Sequence, residues 1–356
     1  MKIVFFGSSL VSAYWNGAAT YYRGIIRALA ARGHQITFYE PDAYDRQAHR
    51  DIDDPAWARV VVYPATEAGV ARALETAARQ KPDLLIKTSG VGVFDTWLEE
   101  MVPALRQPAR LVAFWDVDAP ATLDRVHANP NDSFRALIPR YDLILTYGGG
   151  DPVVRGYSEL GAARCVPIYN ALDPRTHYPV APDRRFAADL SLLANRLPDR
   201  EARIEAFFLH AAELAPERGF LLAGNGWGDK PVPSNVTFIG HLYTKDHNAF
   251  NCSALAVLNV ARESMARYGF SPATRVFEAA GAGACLISDR WQGIEDFLEP
   301  DREVLVAADG EGVVAHLATL TEDRARAIGA AARRRVLAAH TYTHRASQLE
   351  QVLGIS

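Results

Sequence analysis

Gly269-Phe270-Ser271-Pro272-Ala273-Thr274-Arg275-Val276-Phe277-Glu278-Ala279-Ala280-Gly281-Ala282-Gly283, with Cys285-Leu286-Ile287-Ser288 shortly after, reads as a turn, a helix and a short buried strand. Ser271 suits a helix N-cap and Pro272 the first helical position. The backbone N–H groups of Ala273 to Arg275 then mark a helix start, a place that suits phosphate. Side chains on a helix lean toward its N-terminus, so Glu278, one turn after Thr274, reads as lying beside that phosphate, able to accept hydrogen bonds from a ribose diol. Arg275 reads as a charge partner for a diphosphate. The same residues also fit a capped surface helix with Glu278 in solvent, ended by Gly281 and Gly283.

Outward from this stretch the pattern repeats. Ile3 to Phe6, Ile36 to Tyr39, Val60 to Tyr63, Leu84 to Lys87, Leu111 to Trp115 and Leu143 to Thr146 are short apolar runs separated by helix-length segments. Unalternating runs of this kind are strands covered on both faces by crossover helices, which gives a parallel, doubly wound sheet. Tyr22, Ile25, Ile26 and Leu29 share one face of a helix over 18–32, with Gly33 at its C-cap. A second series follows at Leu190 to Ala194, Phe220 to Ala223, Val236 to Ile239, Ala256 to Val260, Cys285 to Ser288 and Val304 to Val306. The Asn- and Pro-marked stretch from Asn170 to Arg185 reads as a linker between the halves. The predicted organisation is residues 1–175, residues 176–340, and a final helix over 341–356 that returns to the first half.

The chain's 356 residues suit two such α/β domains, and 49% apolar residues give each a core. A formal charge of -4 supplies no global positive field for nucleic acid or anionic lipid. Cys165, Cys252 and Cys285 lie too far apart in sequence for a disulfide framework, which points to a reducing, cytoplasmic setting. No apolar run approaches the roughly 18 residues that span a bilayer. The ten histidines show no metal-ligand spacing and read as surface residues; no metal ligand set is expected.

In doubly wound sheets ligands lie beyond the carboxyl ends of strands, so two facing Rossmann-like halves are expected to place theirs in a cleft between them. The candidate residues follow strands accordingly. Arg196 and Arg200 open a helix after the first strand of the second half, where a guanidinium fork suits phosphate oxygens; otherwise they are exposed helix-start residues. Gly224-Asn225-Gly226-Trp227-Gly228 also follows a strand, as a ligand-approaching loop or a plain turn. Phe114-Trp115-Asp116-Val117-Asp118-Ala119-Pro120 offers a carboxylate as general base, a metal-binding Asp-x-Asp, or a helix cap. Gly149 and Asp151, in Tyr147-Gly148-Gly149-Gly150-Asp151, allow close backbone approach or form a flexible turn.

These segments together resemble GT-B glycosyltransferases. The stretch from Gly269 to Gly283, with Asn259-Val260-Ala261-Arg262 before it and Glu295-Asp296-Phe297-Leu298-Glu299-Pro300-Asp301 after it, is similar to their donor-binding region, and Arg275-Val276-Phe277-Glu278 resembles the spore maturation protein CgeB-like branch. Gly7-Ser8-Ser9, Asn16-Gly17-Ala18 and the helix ending at Gly33-His34 resemble the opening of such enzymes. The resemblance implies two Rossmann-like domains. It also implies a nucleoside-diphosphate sugar such as a UDP-sugar as substrate, with no cofactor, and an acceptor of unspecified kind, whether saccharide, protein or small molecule.

By the same resemblance Ala273, Thr274, Arg275, Arg196 and Arg200 hold the phosphates and Glu278 the ribose. His241, Leu242 and Tyr243 pair with the base through their backbone. Gly7, Ser8, Asn16, Gly17, Gly149, Asp151, Phe270 and Ser271 line the sugar or the acceptor, and Asp118, with Asp116 as second choice, is the base. Many retaining relatives carry two glutamates eight positions apart; here the first position is Phe270. A GT-B-shaped nucleotide-sugar 2-epimerase and a non-catalytic nucleotide-sugar-binding protein are the alternative readings.

Overall fold

Ile3, Val4, Phe5 and Phe6 are all buried, as a strand covered on both faces requires. They form β1 (Lys2–Phe6), followed in the first unit by β2 (Gln35–Asp42), β3 (Arg59–Pro64), β4 (Leu84–Thr88), β5 (Leu111–Asp116), β6 (Leu143–Thr146) and β7 (Cys165–Pro167). The computed structural model describes residues 1–355. The seven strands are parallel and hydrogen-bonded in the order β3-β2-β1-β4-β5-β6-β7. Between them run α1 (Ala19–Ala31), α2 (Glu67–Arg79), α3 (Asp95–Ala104), α4 (Ala119–Ala128) and α5 (Gly150–Glu159). Phe5 stacks with Phe38 and meets Trp115, whose indole N–H donates to the Tyr21 hydroxyl at 2.9 Å. Each such aromatic contributes roughly 1.5–3 kcal/mol on burial.

The second unit repeats the plan with β8 (Ala188–Leu193), β9 (Phe220–Ala223), β10 (Val236–Phe238), β11 (Ala254–Asn259), β12 (Leu286–Asp289) and β13 (Leu305–Ala307), in the order β10-β9-β8-β11-β12-β13. Its helices are α6 (Glu201–Ile204), which runs through a π turn into α7 (His210–Leu214), then α8 (His247–Ser253), α9 (Glu263–Tyr268), α10 (Thr274–Ala282), α11 (Gly310–Thr319) and α12 (Glu322–Ala339). Leu190, Leu192, Phe208, Leu258 and Ile287 centre its core.

One unit comprises Met1–Tyr169 and the chain from Tyr342 onward; the other is Asn170–Thr341. The final helix, α13 (Tyr342–Val352), therefore completes the first unit. Its Tyr342 ring occupies the space beside Gly24 of α1, and Glu350 pairs with Arg32 and His34. The first part of the stretch expected as a linker is packed, whereas Tyr178 to Arg185 is largely exposed. Leu172 is buried, bridges to Thr341 and accepts the space above Gly281, so its turn residues shape a folded entry segment rather than a free connection.

The sheets reverse winding direction between β1 and β4 in the first unit and between β8 and β11 in the second. Ligands of doubly wound sheets gather at such switch points.

Candidate functional site

In the second unit the loop after β8 is joined to the loop after β9. Asn195 accepts a hydrogen bond from the Asn225 amide at 2.9 Å, the Arg196 amide donates to the Asn225 carbonyl, and Trp227 donates its indole N–H to the Ala194 carbonyl. Gly224 makes this possible. Its φ is +127°, and a Cβ there would lie 2.1 Å from the Ala194 oxygen.

Arg196 emerges from this frame, bonded to Asp229 at 2.9 Å and Glu201 at 2.7 Å. Its hydrogen bond to Glu201 holds that carboxyl down to about 2. Arg200 turns the other way and donates twice to the Val260 carbonyl, at 2.9 and 2.7 Å, linking the loops that follow β8 and β11 across the switch point. Beside it Arg262 pairs with Asp199 at 2.7 Å. Asp289, at the end of β12, is fully buried and receives the Ala261 amide at 3.1 Å and Arg203 at 2.7 Å; burial pushes its carboxyl upward. Arg203 and Asp289 had no motif to reveal them. They align the β11 loop by contacts 86 residues apart in sequence.

Helix α10 begins two residues later than its Ser-Pro signal suggests. Ala273 is the N-cap, and the Ser271 hydroxyl turns back to the Gly269 carbonyl at 2.9 Å. Phe270 sits at φ +47° and fills the space above Gly293, so the tight turn consumes the cap residue. Thr274 remains half-buried at the helix start.

Two residues of this helix differ from expectation. Arg275 is buried and its guanidinium is directed to Asn251 at 3.2 Å and Glu278 at 3.4 Å. Glu278 is only 4% exposed, not in solvent. Its Oε1 lies 3.8 Å from His177 Nε2, and a third group, His247, is buried beside them. The expectation that histidines are surface residues fails here, as it does for His34 and His340, which are also buried. Burial pushes His247 down to about 3 and lowers His177 as well, with Glu278 opposing both shifts. His241 and Tyr243 meet edge to face at 4.5 Å near Asn225, while Leu242 belongs to a small core with Phe186 and Phe250.

In the first unit the switch-point loops are closed by buried polar bonds. Ser8 donates to Asn16 at 3.0 Å, and Asn16 donates to the Ser9 and Ser12 carbonyls. Arg46 donates to the carbonyls of Ser8 and Val91, joining the loops after β1 and β4. A Cβ at Gly7 would lie 2.3 Å from the Phe38 ring, so this glycine serves packing; Gly17 is exposed. Asp116 is fully buried, accepting the Tyr157 hydroxyl at 2.5 Å and the Asp118 amide at 2.9 Å. Both its oxygens are thus engaged, and the Asp-x-Asp pair does not present two carboxylates to one ion.

Asp118 occupies the N-cap position of α4 and makes no side-chain cap bond with it. Half-buried at the end of β5, it is the carboxylate of the pair nearer the surface. Gly149, at φ +92°, caps α5, and Asp151 in the first turn of that helix is exposed.

Residues 200–351 match a family model described as glycosyl transferase-like. Among curated proteins none matches the chain. Solved structures match over the full length at low identity. Sucrose-phosphate synthase from Thermosynechococcus elongatus is 16% identical, with a TM-score of 0.74 over 99% of this chain and 98% of that one. Anabaena HepE, solved in complex with UDP-glucose, is 15% identical with a TM-score of 0.68 over 99% of both chains. The β-glucosyltransferase of phage T4, also solved with UDP-glucose, is 9% identical with a TM-score of 0.64 over the whole of both. The two doubly wound units of this chain have the GT-B fold.

Proposed function

We propose that the protein is a glycosyltransferase that moves a sugar from a nucleoside-diphosphate donor of the UDP-sugar type to an acceptor hydroxyl, with saccharides, proteins and small molecules all chemically eligible as acceptors. One observation carries the reading: the switch point of the second unit is framed by Arg196 and Arg200, inside or beside the segment that matches a glycosyl transferase-like family. The UDP-glucose complexes of two structurally similar proteins support the donor class. The Arg275-Val276-Phe277-Glu278 segment supports placement near the CgeB-like branch.

In this reading the second unit binds the donor. Arg196 and the backbone N–H groups at Ala273 and Thr274 face the diphosphate, Arg200 adds positive charge beside them from its place on the Val260 carbonyl, Glu278 faces the ribose, and the backbone from His241 to Tyr243 faces the base. The acceptor is assigned to the first unit with Asp118 as base. Asp118 removes the acceptor hydroxyl proton, the oxygen forms a bond to the anomeric carbon, and the bond from that carbon to the diphosphate breaks. Negative charge grows on the leaving diphosphate, where arginines and a helix start stabilise it. These groups supply the positive potential without a catalytic metal, so transfer is expected to survive chelation. The three free cysteines support a cytoplasmic setting. Among the described residues no helix is long and apolar enough to cross a membrane.

A thermal-shift panel of nucleoside diphosphates and their sugars tests the donor reading. Stabilisation by roughly 2.7 kcal/mol is expected at a hundredfold excess over the dissociation constant. Slow hydrolysis of the stabilising nucleotide sugar is expected to follow. Absence of any nucleotide response would overturn the assignment, and exchange at sugar C2 would redirect it to an epimerase.

A further inference from the structure

Inside the second unit three potential metal-ligand groups converge. One ligand atom each from His177, His247 and Glu278 lies within 4.8 Å of the other two, and all three residues are buried. They come from the entry segment, α8 and α10, so no local spacing announces them.

The two imidazoles are held in complementary ways. His177 Nδ1 lies 3.0 Å from the Thr176 hydroxyl, leaving Nε2 toward Glu278 with no hydrogen-bond partner. His247 bonds to the Leu242 backbone, and its Nδ1 is likewise buried without a hydrogen-bond partner. A metal-binding histidine characteristically has its second nitrogen fixed in this manner, which sets the tautomer and aims the first. An unpaired buried polar nitrogen is costly. Two of them beside one carboxylate call for a shared partner.

We propose that His177, His247 and Glu278 form a binding site for a divalent transition-metal ion of the zinc type. Two imidazoles and a carboxylate suit zinc, cobalt or nickel better than magnesium or calcium, which prefer oxygen ligands. Three protein ligands leave a fourth tetrahedral position for water. Ligand atoms in such a site lie about 3.4 Å apart, given metal bonds of about 2.0–2.1 Å, so modest side-chain rotation closes the cluster. Arg275 lies nearer the other carboxylate oxygen, Oε2, at 3.4 Å, and also bonds Asn251. Glu278 thus presents one oxygen to the imidazoles and one to the guanidinium. Sharing the carboxylate with a cation weakens the site relative to a dedicated His2Glu centre and places it among exchangeable metal sites. With both oxygens so engaged, Glu278 cannot also accept from the donor ribose, so a bound ion and the ribose contact exclude one another.

The test uses the full chain stripped of metal and needs no nucleotide, so its outcome is independent of the transferase reading. Cobalt is titrated and followed by its visible spectrum, and zinc by calorimetry and thermal shift. One equivalent of zinc is expected, with four-coordinate cobalt bands and a melting midpoint raised by several degrees in excess metal. His177→Gln and His247→Gln are each expected to weaken binding at least tenfold, while His344→Gln leaves it unchanged. Absence of stoichiometric binding, or parent-like binding in both cluster variants, would overturn the proposal. Should a cluster variant fail to fold, zinc-edge X-ray absorption of the wild-type protein decides. Two imidazoles and light oxygen ligands support the site; a sulfur shell or a single imidazole refutes it.

Discussion

Arg46 and Arg200 perform the same mechanical task in the two units. Each guanidinium hydrogen-bonds backbone carbonyls at its sheet's switch point, Arg46 to Ser8 and Val91, Arg200 to Val260. Their surroundings diverge. Around Arg46 the charges are buried, with Ser9 bonded to Glu40 and Lys87, wholly buried, paired with Asp95. Around Arg200 the charges lie nearer the surface, with Arg196 held by Glu201 and Asp229 and Arg262 by Asp199. An anion can displace the solvent-reachable carboxylates of Glu201 and Asp229 from Arg196 at small cost, because exposed ion pairs contribute little. No comparable exchange is open to a buried network. Similar topology therefore gives one unit whose switch-point charges lie near the surface and one whose switch-point loops are held by buried polar contacts.

The largest expected effect tests what the first unit is for. Asp118→Asn preserves size, so nucleotide affinity should persist while transfer falls roughly a hundredfold or more. Parent-like transfer rates would remove Asp118 from the mechanism. Because the structure shows no cap bond from this side chain, an unchanged melting point would not rescue a capping role.

Next come the two arginine neighbourhoods, which should fail in opposite ways. Arg46→Ala strips buried carbonyls of their donor and should cost about 2–3 kcal/mol, read as a drop of roughly 4–10 °C in melting midpoint, with nucleotide affinity retained. Arg196→Ala should weaken nucleoside-diphosphate binding roughly tenfold, measured by calorimetry, with stability within about 0.5 kcal/mol of the parent. Lost nucleotide binding in Arg46→Ala, or lost stability in Arg196→Ala, would dissolve the contrast between the units.

The smallest effect concerns the closing helix of the first unit. The hydrogen bond from Arg32 holds the Glu350 carboxyl down to about 2, below its ordinary 4.5. A depressed acid contributes stability fully above about pH 4.5, and that contribution disappears as pH falls toward 2. Glu350→Gln should therefore melt slightly lower than the parent at neutral pH, by about 1 kcal/mol or less since Arg32 is partly exposed, and converge with it near pH 2. A constant gap from pH 7 to pH 2, followed by circular dichroism, would dismiss the ion pair.

The rhythm of the two sheets was legible because buried parallel strands leave continuous apolar runs, and twelve such runs became strands with ends shifted by at most three residues. β7 escaped because Cys165–Pro167 is three residues long, half-buried and ends in proline. Asn170 to Arg185 carries turn residues that mark both free connections and packed corners; burial of Leu172 and His177 shows that its first part is a corner, and no local pattern encodes that. At the candidate site, Arg196 and Thr274 follow strand and helix signals. The grouping of His177, His247 and Glu278 depends on three segments that only the folded unit brings together.

The second unit begins and ends at one place, where the Leu172 amide donates to the His340 carbonyl at 2.8 Å. In gene order it is an insert, because the helix that completes the first unit lies beyond it. During synthesis the first 169 residues leave the ribosome without α13, and the face of α1 that receives Tyr342 stays uncovered until about 170 further residues have been translated. At roughly 5–20 residues per second that delay lasts on the order of ten seconds or more. The domain that starts the chain is thus the last to finish folding, and a truncation ahead of Tyr342 should harm the beginning of the protein more than its end.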